Sequence, residues 1–215
     1  MTPSCPVCGQ ASTERLLTVD ERGYWRCPNC LATFLDPSQR PGPEEEKSEY
    51  DLHCNEPEDA GYRRFLQPAA DALTGRCARG SSVLDYGCGP GPALGGILAE
   101  RGYRVSLYDP IYRPDSSLLQ ERYDAVTCTE VVEHFHHPMR EFERLDALLR
   151  PGGWLVIMTR FQTEDARFAR WHYRRDPTHV VFYRPHTFTV LAQRHGWRVE
   201  CSPPNLVVIG KPQLD

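Results

Sequence analysis

The chain contains no apolar run near the ~18–20 residues that a helix needs to span a bilayer, so the sequence does not predict a membrane protein. Residues 1–7 lack a basic region followed by an apolar one, and we therefore expect no secretory signal. There is also no strong excess of positive charge, since the formal net charge is −4. A global electrostatic attraction to nucleic acid is not expected, although this balance permits a local basic patch.

The residues that are present are typical of a globular protein: 40% of the 215 residues are apolar and 25% are charged. This composition excludes collagen-like and wholly disordered chains. The length suffices for one full domain with an appendage, or for two small domains, with a core that needs no disulfides.

Cysteine is abundant, with nine residues, and the number is odd. Two Cys-X-X-Cys pairs, Cys5/Cys8 and Cys27/Cys30, are separated by 18 residues, whereas the other five cysteines follow no pattern. A secreted disulfide scaffold would need a signal, so this usage favours a cytoplasmic protein with some of its thiols bound to metal.

Four thiolates at this spacing predict a closed, tetrahedral and therefore structural zinc site, within a zinc ribbon over residues 1–35. Between the pairs, residues 15–26 predict two short strands around a turn at Asp20–Gly23. The ribbon is too short for a core of its own, so we expect the metal to supply much of its folding energy. The alternatives are unligated cysteines or a redox-active pair, and the spacing disfavours both.

Residues 36–56 predict a linker or lid, because this stretch holds three prolines and a run of glutamates. Tyr50, His53 and Tyr62 are candidate lid residues, and incidental polar groups in a linker are equally consistent with the sequence. The apolar spacing of residues 57–73 predicts a helix.

From residue 81 short apolar strands alternate with helices, which predicts an α/β fold with a doubly wound, mostly parallel sheet and helices on both faces. The predicted strands cover residues 82–87, 104–109, 123–129, 154–159, 197–201 and 206–209, and the predicted helices cover residues 94–101, 138–149 and 187–195. The last two strands are too close for a helix between them, so we expect an antiparallel hairpin at the sheet edge.

A glycine-rich turn joins the first of these strands to the first helix, in the sequence VLDYGCGPG of residues 83–91. Gly87, Gly89 and Gly91 allow a sharp turn and the close approach of a ligand. The sequence has no GKS or GKT here, which excludes a P-loop. Asp85, at the strand end, suits a ligand with an ammonium group better than a pyrophosphate.

Taken in order, the motifs resemble those of class I S-adenosylmethionine-dependent methyltransferases. They are VLDYGCGPG, an acid (Asp109) that ends the next strand 24 residues after Asp85, TCTEVVEHFHHP and LLRPGGWLVIMT. The resemblance covers residues 60–210 and implies a Rossmann-like methyltransferase domain over residues 57–215. It also implies S-adenosylmethionine as cofactor, bound by Asp85, Gly87, Gly89, Gly91, Asp109 and Glu130, with Asp109 at the ribose.

The chain departs from this family in one place. Only 13 residues lie between Asp109 and Tyr123, where a usual member has a helix and another strand. We therefore expect the family's third strand to be missing or reduced to a remnant. By position alone, Leu118, Leu119 and Gln120 are candidates for the adenine contact.

The segment after the third predicted strand carries Glu130, Glu133 and His134, which share one face if a helix begins near Thr129. With His179 they suit a divalent cation such as Mg²⁺. The pattern resembles the metal sites of small-RNA 2′-O-methyltransferases and ubiquinone-pathway O-methyltransferases, where the cation would hold two neighbouring hydroxyls. Ordinary polar groups, with Glu130 at the cofactor, are equally consistent. His134 and His179 are the predicted catalytic base or metal ligands.

Residues 160–198 hold eight arginines, three acids and four histidines, together with a ring-rich stretch at residues 168–183. This insertion falls where the family usually builds its substrate pocket, and its rings and guanidinium groups suit stacking and anion pairing. The alternative is that Trp171, Phe182 and Tyr183 pack in the core and that the arginines are solvated.

The expected function is methyl transfer to a small-molecule acceptor, with a hydroxyl as the favoured group. An RNA acceptor comes second because the charge balance is acidic. A non-catalytic cofactor-binding module comes third, because Asp85, Asp109 and Glu130 are intact.

Overall fold

A computed structural model describes residues 2–52 and 56–213. The strands are β1 Glu14–Val19, β2 Arg22–Arg26, β3 Thr33–Leu35, β4 Ser82–Tyr86, β5 Arg104–Tyr108, β6 Tyr123–Thr129, β7 Leu149–Met158, β8 Val181–Phe182, β9 Arg198–Ser202 and β10 Leu206–Gly210. The helices are α1 Pro43–Tyr50, α2 Ala60–Thr74, α3 Ala93–Glu100, α4 Pro138–Leu148, α5 Asp165–Phe168 and α6 Pro185–His195.

The larger sheet has six strands in the order β5-β4-β6-β7-β10-β9. The first four are parallel, and β10 runs antiparallel to both β7 and β9. This confirms the predicted α/β fold and the antiparallel hairpin at the sheet edge. The stretch between β5 and β6 contains only a 3₁₀ turn, Ser116–Gln120, so the family's third strand is absent from this part of the described chain, as expected from its length.

Helices cover both faces of this sheet, as predicted. Val83 packs with residues of α2 and α3, whereas its neighbour Leu84 belongs to the core that includes residues of α4 and α6. Successive side chains of a strand point to opposite faces, so the two cores lie on opposite sides. Within the described ranges, no helix is both long enough and apolar enough to cross a membrane.

The smaller sheet has four strands in the order β1-β2-β3-β8. β1 and β2 form the predicted hairpin, whose turn places Asp20 at φ 49° and Glu21 at φ 62°. β3 then pairs with β8, so that Thr33 faces Phe182. The cysteine-containing N-terminal region therefore shares a sheet, and a continuous apolar core, with the last third of the chain.

The segment predicted as a linker or lid contains a helix, α1. Pro43 occupies its first turn, and the N–H of Gly42 donates to the Glu45 carboxylate at 2.8 Å. Prolines and glutamates are both favourable at a helix N-terminus, so the composition that predicted a linker also suits a helix start. His53 lies outside the described residues.

The next helix, α2, starts at Ala60 and not at residue 57 as predicted. The Asp59 carboxylate accepts a 2.6 Å hydrogen bond from the N–H of Tyr62 and so caps the helix. The buried face of α2 consists of Leu66, Ala69, Ala70 and Leu73.

Candidate functional site

A cavity of about 1310 Å³ opens where β4, β5 and β6 end at their carboxyl termini. In open α/β sheets ligands bind at this edge, in the crevice beyond the strand ends. The glycine turn after β4 forms one wall, residues 109–112 after β5 form a second, and residues 129–137 after β6 form a third. Helix α1 lines the remaining side.

The backbone of the turn after β4 requires glycine at two positions. Gly87 and Gly89 have φ values of 75° and 64°, which residues with a side chain rarely adopt. A Cβ at Gly87 would lie 2.5 Å from Cγ2 of Val131. The N–H groups of Gly87 and Cys88 both donate to the carbonyl of Tyr108, at 2.8 and 3.1 Å. The turn therefore keeps its backbone against the cavity, and Gly91 lines the cavity further along.

Asp85 lies at the floor of this cavity and is only 3% exposed. One carboxylate oxygen accepts a 2.9 Å hydrogen bond from the Thr127 hydroxyl. Burial raises the pKa of Asp85 to about 6, against the lowering effect of that hydrogen bond. A carboxylate held in this way gains most from a cationic partner that enters the cavity.

Asp109 follows β5, and its carboxylate is hydrogen-bonded both to the glycine turn and to the cavity wall after β5. Its carboxylate accepts hydrogen bonds from the N–H groups of Gly89, Ile111 and Tyr112, at 3.0, 2.8 and 2.9 Å. Ile111 and Tyr112 line the cavity.

The candidates named for the adenine contact do not line the cavity. Leu118, Leu119 and Gln120 lie in the 3₁₀ turn outside the cavity wall, and the two leucines pack against the core instead.

The segment after β6 is not the helix on which we based a shared face for the two glutamates and the histidine. Glu130 has a left-handed backbone, with φ 54°, and only Val132–His134 form a single 3₁₀ turn. Two consecutive valines are poor helix formers, and Pro138 disfavours a helical backbone at the residue before it. The helix therefore starts only at Pro138.

Tyr173 joins the two glutamates, and sequence reasoning did not identify it. Its hydroxyl lies 3.2 Å from Oε2 of Glu130 and donates to Oε1 of Glu133. Within the described residues, the second oxygen of each carboxylate is buried without a hydrogen-bond partner. Tyr173 was one ring among many in the sequence, and its only signal was its position six residues before His179.

The two carboxylates differ from ordinary surface acids. Glu133 is 0% exposed, and burial, followed by the charge of Glu130, raises its pKa well above the usual range. Burial also raises the pKa of Glu130 to about 7. Two buried carboxyl groups that share one hydroxyl donor favour a cation between or beside them.

The two histidines are oriented by backbone carbonyls. Nδ1 of His134 donates to the carbonyl of Thr178 at 3.1 Å, and Nδ1 of His179 donates to that of Tyr173 at 2.6 Å. In a neutral ring this arrangement makes Nε2 the lone-pair nitrogen, as in histidine ligands of metals. One ligand atom each from Glu133, His134 and His179 lies within 4.8 Å of the others.

The four N-terminal cysteines are brought together as predicted. Sγ of Cys5 lies 3.6 Å from Sγ of Cys30, and Sγ of Cys8 lies 3.5 Å from Sγ of Cys27, too far for disulfides. All four sulfurs lie within 4.8 Å of one another. The geometry fits a four-thiolate site for zinc.

The ring-rich insertion contributes less to the cavity than we expected. Phe182 and Tyr183 are fully buried in the core and Trp171 packs against it, which agrees with the core-packing part of the alternative interpretation. Arg174, however, is only 3% exposed and therefore not solvated. From residues 160–198, only Asp176 and His179 line the cavity among the described positions.

Two polar contacts hold helix α1 over the cavity. Oε1 of Glu46 lies 2.9 Å from Nε2 of His136, and the Tyr112 hydroxyl donates to Asp51 at 2.7 Å. The Tyr50 ring contacts the His134 ring edge-on, with centroids 5.2 Å apart. Tyr50 and the other lid candidate, Tyr62, thus both line the cavity, and so does His136.

Comparison with known families gives a match over most of the chain. Residues 59–202 match the methyltransferase domain family. A ubiquinone biosynthesis O-methyltransferase from Leptothrix cholodnii is 35% identical over 104 residues, which are 37% of this chain and 44% of that protein. The Bordetella pertussis protein of the same name is 31% identical over 131 residues, 50% and 51% of the two chains. The chain thus spans about half the length of the curated relatives that it matches.

Solved structures agree on the fold. A 1,6-didemethyltoxoflavin-N1-methyltransferase from Burkholderia thailandensis, with S-adenosylhomocysteine bound, has a TM-score of 0.56 and 17% identity, and the match covers 95% of this chain and 100% of that one. An O-methyltransferase family protein from the same organism has a TM-score of 0.53 and 17% identity, covering 78% and 63%. At this identity the likeness concerns the architecture of the chain.

Proposed function

Because the chain belongs to the methyltransferase domain family, we propose that it transfers a methyl group from S-adenosylmethionine to a hydroxyl of a small molecule. The observation that carries the proposal is one cavity with two ends. Asp85, the glycine turn and Asp109 stand at one end, and the cluster of Glu133, His134 and His179 adjoins the other.

We assign the first end to the cofactor. Asp85 supplies a buried negative charge for the ammonium group, and the glycines allow the backbone to approach the ligand. Asp109 would meet the ribose hydroxyls with the carboxylate that also holds the turn. Glu130 lies between the two ends, where its carboxylate faces either the cofactor or the cluster.

The second end fits a divalent cation. Its donors are one buried carboxylate with an unpartnered oxygen and two imidazoles oriented through Nδ1. Two nitrogens and one oxygen favour a borderline metal, or Mn²⁺, over Mg²⁺, which prefers oxygen ligands alone. A cation held by Glu133, His134 and His179 would lower the pKa of a hydroxyl bound to it.

The remaining chemistry needs alignment and the removal of one proton. Displacement at the sulfonium methyl depends on a nucleophile held in line with the departing sulfur. Without a cation, Nε2 of His134 or of His179 would be the base that takes the hydroxyl proton. Oδ2 of Asp176 lies 3.7 Å from Nε2 of His179.

Removal of divalent cations by a chelator distinguishes a cation site from a histidine base. We expect methyl transfer to stop in EDTA, at a concentration that leaves zinc on the four thiolates, and to return with Mn²⁺. We also expect His179→Ala to lower the rate by about 100-fold while the affinity for S-adenosylmethionine stays within twofold, because His179 belongs to the insertion after β7 and not to the glycine turn. Rates and calorimetry on both proteins measure this.

His186→Ala is the matched control, since this exposed histidine is not among the cavity-lining residues and hydrogen-bonds the carbonyl of Asn29. An unchanged rate in EDTA together with a rate that falls below pH ~6.5 would identify a histidine base instead. A rate indifferent to chelator and to His179→Ala would contradict a role for the cluster.

The charges in the cavity favour an acceptor without phosphate. Among the described residues that line it, Lys47 and Arg144 are the only lysine or arginine side chains. Each is paired already: Lys47 lies 2.6 Å from Asp51, and Arg144 lies 2.9 Å from Glu141. An RNA backbone needs cations that are available for its phosphates.

We therefore expect label from isotope-labelled S-adenosylmethionine, added with the enzyme to a fractionated bacterial extract, to enter small neutral or cationic molecules. These molecules pass an anion exchanger and resist nuclease and protease. Boiled enzyme is the control. Label in a nuclease-sensitive fraction would contradict the small-molecule proposal, and label in no fraction would favour a cofactor-binding module.

We also propose zinc on Cys5, Cys8, Cys27 and Cys30, and a cytoplasmic location. Four clustered thiols without disulfide geometry are consistent with a reducing compartment. With four sulfur ligands such a site has no open position, so its role is structural.

A further inference from the structure

Backbone hydrogen bonds through a single residue, Val180, connect the cysteine ribbon (residues 2–35) to Glu133 of the cluster that also contains His134 and His179. The N–H of Leu35, in β3, donates to the carbonyl of Val180 at 2.9 Å. The N–H of Val180 donates in turn to the carbonyl of Glu133, also at 2.9 Å. Val180 thus connects the ribbon strand to the buried glutamate and is itself the neighbour of His179.

A second contact attaches the ribbon to Arg174, which precedes Val180 in the chain. Arg174 is only 3% exposed, and its guanidinium donates to Asp20 at 2.7 Å and to the Tyr24 hydroxyl at 3.4 Å. Asp20 belongs to the β1–β2 turn and Tyr24 to β2. A buried guanidinium needs such partners, so this contact fixes the backbone beside Tyr173.

The residues that orient the site lie between these two attachments or, for Tyr173, directly before Arg174. Tyr173 provides the hydroxyl that joins Glu130 and Glu133, and its carbonyl orients His179. The carbonyl of Thr178 orients His134. The segment 173–179 therefore sets the direction of both imidazoles and one carboxylate, and it is tied to the ribbon at each end.

We propose that the ribbon is a positioning module for the methyl-transfer site: through Asp20–Arg174 and the β3–β8 pairing it holds segment 173–179, and with it the metal ligands, in place. The effect of the ribbon on methyl transfer rests on the proposed function, whereas the contacts between the ribbon and segment 173–179 do not depend on it. Asp20 is a positioning residue, because it acts through Arg174 and touches none of the reacting groups.

Asp20→Asn tests the coupling with little disturbance to the fold. The Asp20 side chain is 73% exposed, and asparagine tolerates the left-handed backbone found there. The substitution removes the charge opposite Arg174 and leaves the cysteines untouched. Arg15→Ala is the matched control, since Arg15 lies in β1 and pairs with Asp36 within the same N-terminal region.

Three measurements on the zinc-loaded full chain report the effect. We expect amide hydrogen exchange in residues 173–182 to become several-fold faster, and that in residues 138–148 to stay unchanged. Mn²⁺ binding, followed by calorimetry, should weaken by about tenfold, and kcat should fall by a similar factor while the affinity for S-adenosylmethionine stays constant. Arg15→Ala should match the wild type throughout.

Arg174→Gln and the double variant check the mechanism. If Asp20 acts only through Arg174, the double variant is no worse than Arg174→Gln alone. Unchanged exchange in residues 173–182 of the Asp20→Asn protein would overturn the proposal. Faster exchange with wild-type Mn²⁺ affinity and kcat would also overturn it. A wild-type protein without methyl transfer would refute the proposed function, while exchange and Mn²⁺ binding still decide the coupling.

Discussion

Asp85→Asn should weaken the binding of S-adenosylmethionine by about 100-fold or more, and should also stabilise the protein in the absence of the cofactor. The loss follows because the substitution keeps the shape of the side chain but removes a buried charge that would face the ammonium group. Isothermal calorimetry at pH 8 measures the affinity. A wild-type affinity would contradict the assignment of this end of the cavity to the cofactor.

The gain in stability follows from the pKa of Asp85, which rises from 3.8 to about 6 on folding because the side chain is buried. The folded protein therefore holds the proton more tightly than the unfolded chain. Its stability decreases as the pH rises through this interval, and at pH 8 the full cost of burying the charge is present. Asparagine avoids that cost, and we expect roughly 1–3 kcal/mol of extra stability in thermal unfolding.

The same protonation predicts a pH dependence of binding. As the pH falls below about 6, Asp85 becomes neutral, so the wild-type affinity for the cofactor should decline whereas that of Asp85→Asn should not. Asp71→Asn is the matched control, because that carboxylate is exposed on α2 and pairs with Arg101. It should change neither affinity nor its pH dependence.

Cys27→Ser should release zinc and lower the unfolding temperature of the whole chain. A zinc site that crosslinked only a separate ribbon over residues 1–35 would confine the damage to that segment, but the structure changes this expectation. Tyr24 contacts Phe168 and Phe182, with ring centroids 5.0 and 6.1 Å apart, so the ribbon contributes to the shared core. Binding energies of structural zinc are on the order of 10 kcal/mol, of which the folded protein would lose a large part.

Metal analysis, calorimetry and limited proteolysis measure this effect. We expect cleavage to appear both within residues 2–35 and within residues 160–184, since β8 loses its partner strand. Cys77→Ser is the control, because Cys77 lies outside the cluster. A wild-type protein without zinc, or an unchanged unfolding temperature in Cys27→Ser, would contradict the structural role of the four cysteines.

The elements that the sequence predicted well are those fixed by local patterns. The glycine turn requires Gly87 and Gly89 for their positive φ, and that requirement is visible as residue type. The alternation of short apolar strands and helices predicted the parallel sheet, and the short spacing of the last two strands predicted the hairpin. The cysteine pairs likewise specified their own cluster.

The features that the sequence did not predict depend on contacts between distant residues. Tyr173 reaches the two glutamates only because residues 180–182 pair with β3, and no local pattern encodes that pairing. The left-handed backbone of Glu130 could likewise not be predicted, because the ExxEH spacing is equally suited to a helix. Helix α1 has almost no apolar face of its own, since it covers a cavity and not the core.

The pairing of β3 with β8 has a consequence for synthesis of the chain. Thr33 and Phe34 emerge from the ribosome early, while their partners Phe182 and Val181 follow only after most of the remaining chain. If the four cysteines bind zinc as proposed, they can do so as soon as residue 30 is available, but the edge of β3 then stays unpaired while the large sheet is made. Exposed edges of this kind invite pairing with other chains. During translation, zinc bound early to these cysteines would therefore limit the disorder of the nascent N-terminus without yet protecting its last strand.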